Sequence, residues 1–145
     1  MTVRCVSLKP THIICRMAGF YDHESSLESD SHADTCVVGR NALVINDYNR
    51  PGTVYGYDPS MGSQEYCTVS VALLCTHPYT SIDYVLIIHQ AINVPHLDHH
   101  LVCPMQCQVN GVEVNDVPKF LTTAPQVETH SVVAMTQDND VVVLP

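Results

Sequence analysis

Two stretches of this chain, residues 66–74 and 84–91, contain no Asp, Glu, Lys or Arg and are rich in valine, leucine, isoleucine, alanine and tyrosine. Uncharged runs of that length must bury at least one face, yet they fall far below the ~20 apolar residues needed to span a bilayer as a helix. Residues 66–74 alternate polar and apolar at first and then become continuously apolar, which predicts a strand exposed at one end and buried at the other. Residues 83–88 are apolar on both faces after Asp83 and are expected at the centre of a sheet. Shorter runs of strand-forming residues recur at 3–8, 12–17, 36–38, 42–45, 53–57, 108–114, 129–135 and 141–144, separated by Gly, Pro, Asn and Asp. The pattern predicts an all-β fold with at most one short helix. That helix is expected at 97–101, ending before Pro104, because the residue preceding a proline disfavours helical torsions. Residues 21–31, acidic and rich in serine, read as a solvated loop.

With 145 residues and 46% hydrophobic composition the chain is expected to form one domain over 1–145. Fifteen acidic against six basic residues give a formal charge of -9. Such a charge repels phosphate backbones and anionic membrane surfaces, so neither nucleic acid nor membrane is an expected partner. Behind Arg4 and Lys9 there is no continuous apolar core of the kind a secretion signal needs. The seven cysteines are odd in number, lie mostly within apolar runs and show no compact disulfide framework. Unpaired thiols in a reducing, cytoplasmic setting are therefore expected.

One polar cluster stands apart. Asp30-Ser31-His32-Ala33-Asp34-Thr35 is followed at once by the apolar Cys36-Val37-Val38, so an acid lies at the tip of an expected strand. On local pattern alone Asp30 reads as an Asx-type loop cap. The cluster also resembles the active-site motif Asp-Ser/Thr-Gly-Ala of retropepsin-like aspartic peptidases, with His32 in the place of the glycine. The later stretch 92–106 is similar to the segment that follows that motif in copia-type retrotransposon polyproteins, and the apolar run 84–91 lies between the two in the expected order. Residues 30–114 carry the likeness, flanked by N-terminal strands and the acidic loop (1–29) and by C-terminal strands (115–145).

The resemblance implies a closed retropepsin-like barrel and an aspartic endopeptidase that processes its own element's polyprotein. Hydrolysis without metal or covalent nucleophile needs one carboxylate to take a proton from water and a second, protonated carboxyl to polarise the scissile carbonyl. Two acids about 3 Å apart cannot both ionise, which sets up those opposite roles. The chain holds one such motif, so the likeness implies a homodimer with Asp30 from each copy at a twofold axis. Ser31 would brace the two loops, Ala33 would be small for tight packing beneath the site, and Asp34 would meet a substrate backbone amide. His32 and Thr35 complete the loop. No cofactor is implied, and the substrate would be an extended peptide.

A substrate-covering hairpin, or flap, has one candidate, the glycine-bearing segment with Gly56, Tyr57 and Gly62. Two other readings compete. His96, His99, Cys103 and Cys107 offer imidazole and thiol groups for zinc, although their spacing fits no standard module. Alternatively the chain is a catalytically inactive retroelement-derived β domain that self-assembles, with the uncharged 141–144 as a pairing strand.

Overall fold

The structure is a computed structural model that describes residues 13–17, 20–30, 32–56, 58–77, 79–116, 121, 123–124, 130–135 and 141–144. The expected strand at 3–8, Ser31 of the polar cluster and Tyr57 of the flap candidate lie outside the described residues. The fold is mostly β-sheet, with one six-residue helix and one 3-10 turn among the described residues.

In chain order the strands are β1 (Ile13–Met17), β2 (Phe20–Ser29), β3 (Val37–Val38), β4 (Leu43–Tyr55), β5 (Ser63–Thr76), β6 (Asp83–Asn93), β7 (His99–Val102), β8 (Glu113–Asp116), β9 (His130–Met135) and β10 (Val141–Leu144). Helix α1 (Pro104–Val109) lies between β7 and β8. Seven strands form one sheet in the order β1-β2-β7-β3-β6-β5-β4, and β10-β9-β8 form a second of three strands. Because β1 also pairs with β5, through Ile14 to Thr76, Cys15 to Cys75 and Arg16 to Leu74, the hydrogen-bonded pairings from β1 through β2, β7, β3, β6 and β5 return to β1. Val69, Val71, Leu73, Leu86 and Ile88 form the core with Leu27, Val38, Val102, Cys36, Cys103 and Cys107, and Val132 of β9 joins the same cluster.

The uncharged runs form strands near their expected places, but 83–88 buries one face only: Leu86 and Ile88 are buried while Val85 is exposed. Strand β5 is exposed at its Ser63 end, buried continuously from Val69 to Val71 and alternately from there, and β6 lies inside the sheet between β3 and β5. Several local expectations are corrected. The segment read as a solvated loop is the long strand β2, whose Ser25 and Leu27 are buried and which pairs with β1 and β7. Residues expected as helix, 97–101, instead lead into β7; the helix begins at Pro104, where a missing N–H and fixed φ suit the first helical turn. The expected strand 108–114 is divided between the end of α1 and β8, with Gly111 at φ 79 making the turn. The two strands expected at 42–45 and 53–57 are one strand, β4, which carries Pro51 and Gly52 through two register shifts at the sheet's edge.

The centre of the sheet is an interlock of two crossovers. The chain leaves β2, passes the end of β7 and enters β3 on its far side; later it leaves β6, passes the end of β3 and enters β7. Gly39, just after β3, lies so close to the second crossover that a Cβ there would sit 2.5 Å from the carbonyl oxygens of both Leu97 and His99. Arg40 N–H donates to Leu97 O at 2.9 Å, and the Arg40 guanidinium pairs with Asp98. His100 is fully buried between the crossovers. Its Nδ1 accepts from Gly39 N–H at 3.1 Å, which leaves the proton on Nε2, 2.9 Å from Ser25 Oγ on β2. Burial, aided by the neighbouring His99, moves His100 down from 6.5 to about 4.

Two outcomes follow from this packing. Gly39→Ala should destabilise the fold by about 1–3 kcal/mol, the usual cost of overpacking, read as a lower midpoint in urea. The unfolded chain protonates His100 near 6.5 and the folded chain only near 4, so its contribution is complete above pH 6.5 and is lost as pH falls toward 4. Urea unfolding should show stability dropping by roughly 3 kcal/mol across that window, and a flat profile in a His100→Gln variant that still folds; an equal drop in both would remove His100 as its source.

Candidate active site

Asp30 follows β2 directly, at the point where the first crossover turns around the end of β7. Its N–H donates to Val102 O at 2.9 Å, so the residue is anchored to the last position of β7. Ala33 N–H closes a turn onto Asp30 O at 3.3 Å, and His32 N–H donates to Asp30 Oδ1 at 2.9 Å, which makes the Asx-type cap the local pattern predicts. The Asp30 side chain is 36% exposed and the His32 side chain 97% exposed, with His32 Nδ1 3.8 Å from Asp30 Oδ1. His32 is not among the residues with positive φ. The loop therefore accepts histidine in a glycine's place without left-handed backbone, and the imidazole stands in solvent beside the carboxylate.

Beneath the loop the packing is tight and polar groups are matched. Ala33 is half-buried against the core, and its carbonyl accepts from Cys103 Sγ at 2.9 Å. Cys103 N–H donates to Cys36 Sγ at 3.3 Å, and Ile92 N–H donates to Cys36 O at 2.9 Å. Thr35 Oγ1 and Cys36 N–H both donate to Gln106 Oε1, at 3.1 and 2.6 Å. Asp34 is exposed. Burial pushes the Cys103 thiol up, so it is a neutral S–H donor and not a nucleophile.

Gly56 and Gly62 flank the turn of the β4–β5 hairpin, where Gly56 N–H donates to Gly62 O at 3.3 Å and Asp58 Oδ1 caps the 3-10 turn through Ser60 N–H. Gly62 has φ 71, a torsion that glycine adopts without strain. An open groove of about 500 Å³ runs along the base of this hairpin and the turn after β6, lined by Asn49, Arg50, Pro51, Glu65, Tyr66, Cys67, Asn93 and Pro95. The Asp30 loop does not line it within one chain.

The zinc alternative does not assemble. His96 is exposed with its ring 6.0 Å from Tyr66, Cys107 is buried in the core, and Cys103 is bonded to Ala33. Among the described residues no group of three or more His, Cys, Asp or Glu side chains is arranged to hold a metal ion. No helix among them is long and apolar enough to cross a membrane. In the sequence Gln106 falls within the copia-like segment and His100 beside the zinc candidates, and neither is assigned there the structural role it has. Gln106 comes three residues after the cap residue Cys103 on a one-and-a-half-turn helix, and His100 sits in an alternating strand; neither pattern marks a site.

No family model matches the chain, and no curated protein and no solved structure is significantly similar to it.

The five cysteines Cys36, Cys67, Cys75, Cys103 and Cys107 carry free thiols, of which Cys67 alone is exposed. Mass spectrometry after brief alkylation of the native protein should find Cys67 modified and the other four protected until denaturant is added. Early modification of Cys36 or Cys103 would contradict the packing described beneath the loop.

Proposed function

We propose that the chain is one half of an aspartic endopeptidase: a retropepsin-like closed barrel from a copia-like retroelement polyprotein, in which Asp30 of each copy forms a dyad across a twofold axis. The observation that carries this reading is the setting of Asp30. Asp30 combines a partly exposed carboxylate with an anchored backbone on a loop whose underside is fixed to α1, β6 and β7. The return of the strand pairings to β1 supports the barrel. Among the described residues, the hydrogen bond that the Asp30 carboxylate accepts from its own loop is at Oδ1 from His32; in this reading its other lone pairs serve water and a second carboxyl.

In that reading the shared proton of the dyad lets one carboxylate activate water while the other polarises the carbonyl. Ser31 braces the loops at the axis, and the exposed Asp34 receives a substrate backbone amide. The hairpin with Gly56, Tyr57 and Gly62 closes over an extended peptide, bound through backbone hydrogen bonds along the groove beside Asn49 and Tyr66. The setting in this reading is intracellular and reducing, consistent with the five free thiols among the described residues.

A second reading has its own observation. Strand β4 is the edge of the larger sheet and exposes Leu43, Val44 and Ile45 in succession. An exposed apolar stretch on an edge strand favours strand addition, although Asp47, Arg50 and Pro51 follow it on β4, so an inactive self-assembling β domain is the alternative.

Peptide cleavage by the wild type and by Asp30→Asn separates the two. The peptidase reading expects turnover to fall roughly 10²–10⁴-fold in the variant, with the wild-type rate rising as the square of chain concentration at low concentration. Equal turnover in both proteins, or growth in mass beyond a pair without cleavage, would reject it.

A further inference from the structure

Opposite Ser70 the β5–β6 ladder slips: Val69 pairs with Ala91 but Val71 with Ile88, so His89 and Gln90 together face one residue. Gln90 takes φ 57, and the bulge turns the carbonyls of His89 and Gln90 out of the regular ladder. Across from it, Cys36 re-enters the sheet after the Asp30 loop, fully buried, with an N–H that needs an acceptor. Gln106 of α1 stands between the two. Its Oε1 accepts from Cys36 N–H at 2.6 Å and from Thr35 Oγ1 at 3.1 Å, and its Nε2 donates to His89 O at 3.2 Å and Gln90 O at 3.3 Å.

Four hydrogen bonds thus meet on one planar amide, two accepted and two donated. An amide is the side chain that offers an acceptor oxygen and two donor hydrogens in a single plane. A carboxylate would set negative charge against two carbonyl oxygens, and an ammonium or guanidinium would leave Cys36 N–H without an acceptor. The helix holds the amide in place: Cys103 Sγ caps Gln106 N–H at 3.3 Å, and Asn110 Nδ2 donates to Gln106 O at 2.7 Å.

We propose that Gln106 is a positioning residue for Asp30: its amide ties the exit of the Asp30 loop to the β6 bulge and so fixes how the carboxylate is presented. The entry of the loop is already fixed by Asp30 N–H on Val102 O, and its middle by Cys103 Sγ on Ala33 O. The exit is held by Gln106, by Ile92 N–H on Cys36 O and by Cys103 N–H on Cys36 Sγ. The tether rests on the peptidase reading only where activity is measured; its effect on the loop does not.

Two variants and two readouts test it. Gln106→Met keeps length and removes all four bonds; Gln106→Glu keeps the acceptor and loses both donors. Amide hydrogen exchange in Gln106→Met should speed at least ~10-fold at Thr35 and Cys36 while Val71 and Leu73 in β5 keep wild-type protection, with a smaller change in Gln106→Glu, which keeps the acceptor of Cys36 N–H. In cleavage assays kcat should fall roughly 10–100-fold with KM within about twofold, as misplacement of a reacting group produces. Gln106→Glu should recover part of the loss at pH 5 relative to pH 7.5, each compared with wild type, because a protonated carboxyl regains one donor toward the bulge. Gln106→Met should show no such recovery. Unchanged exchange at Cys36 in Gln106→Met, or a change in KM alone, would overturn the proposal. Faster loop exchange in a protein whose wild type cleaves nothing would support the tether and reject the peptidase reading.

Discussion

The mutual threading of two crossovers, with β7 inserted between β2 and β3 and β3 between β7 and β6, is the constraint on which the rest of this structure depends. Each crossover passes over the strand that the other needs, so neither can shift alone. The close approach at Gly39 and the buried His100, which joins Ser25 of β2 to the backbone after β3, make the interlock a packed and hydrogen-bonded joint. Asp30 hangs from one side of that joint. Its loop inherits rigidity from Val102, Cys103 and Gln106 below, while its carboxylate stays open to water. A rigid backbone under an accessible acid is what the proposed chemistry on a carboxyl would require.

Charge shapes how two such chains could meet. Each carries a formal -9, so association is opposed at long range and must be driven by apolar contact at short range. Salt would therefore favour pairing. Leu43, Val44, Ile45, Tyr55 and Met61 on β4 and its hairpin are exposed, and in the proposed pairing they would supply the apolar surface. Carboxyl protonation would ease the repulsion, but the His100 joint weakens in the same acid range, which sets a lower pH limit to any activity.

Strand content was legible in the sequence wherever one residue type decided the matter. The uncharged β5 and β6 runs and the terminal 141–144 strand stand close to their expected places because β-branched and aliphatic residues admit little else there. Strand β2 was not legible. Its Ser25, Ser26 and Glu28 look like a surface loop, and only partners distant in sequence, His100 and β7, make a strand of it. Helix α1 was misplaced because Pro104 was taken as a stop when, at the first helical position, it is a start. The Asp30 cluster was visible as a local pattern, since a short run of Asp, Ser and His before an apolar strand is unusual. Its supports were not. Cys103 and Gln106 come some 70 residues later, as the separations in their bonds to Ala33 and Cys36 record, and no periodicity points from one to the other.

The most direct measurement is calorimetric titration of the folded protein with a peptide inhibitor whose scissile bond is replaced by a secondary alcohol, at pH 6.5–7, where the His100 joint is intact. A dyad shared by two copies predicts one inhibitor bound per two chains, with affinity that weakens as the protein is diluted below its pairing range. One inhibitor per chain, or no binding at concentrations where the protein is paired, would contradict the account.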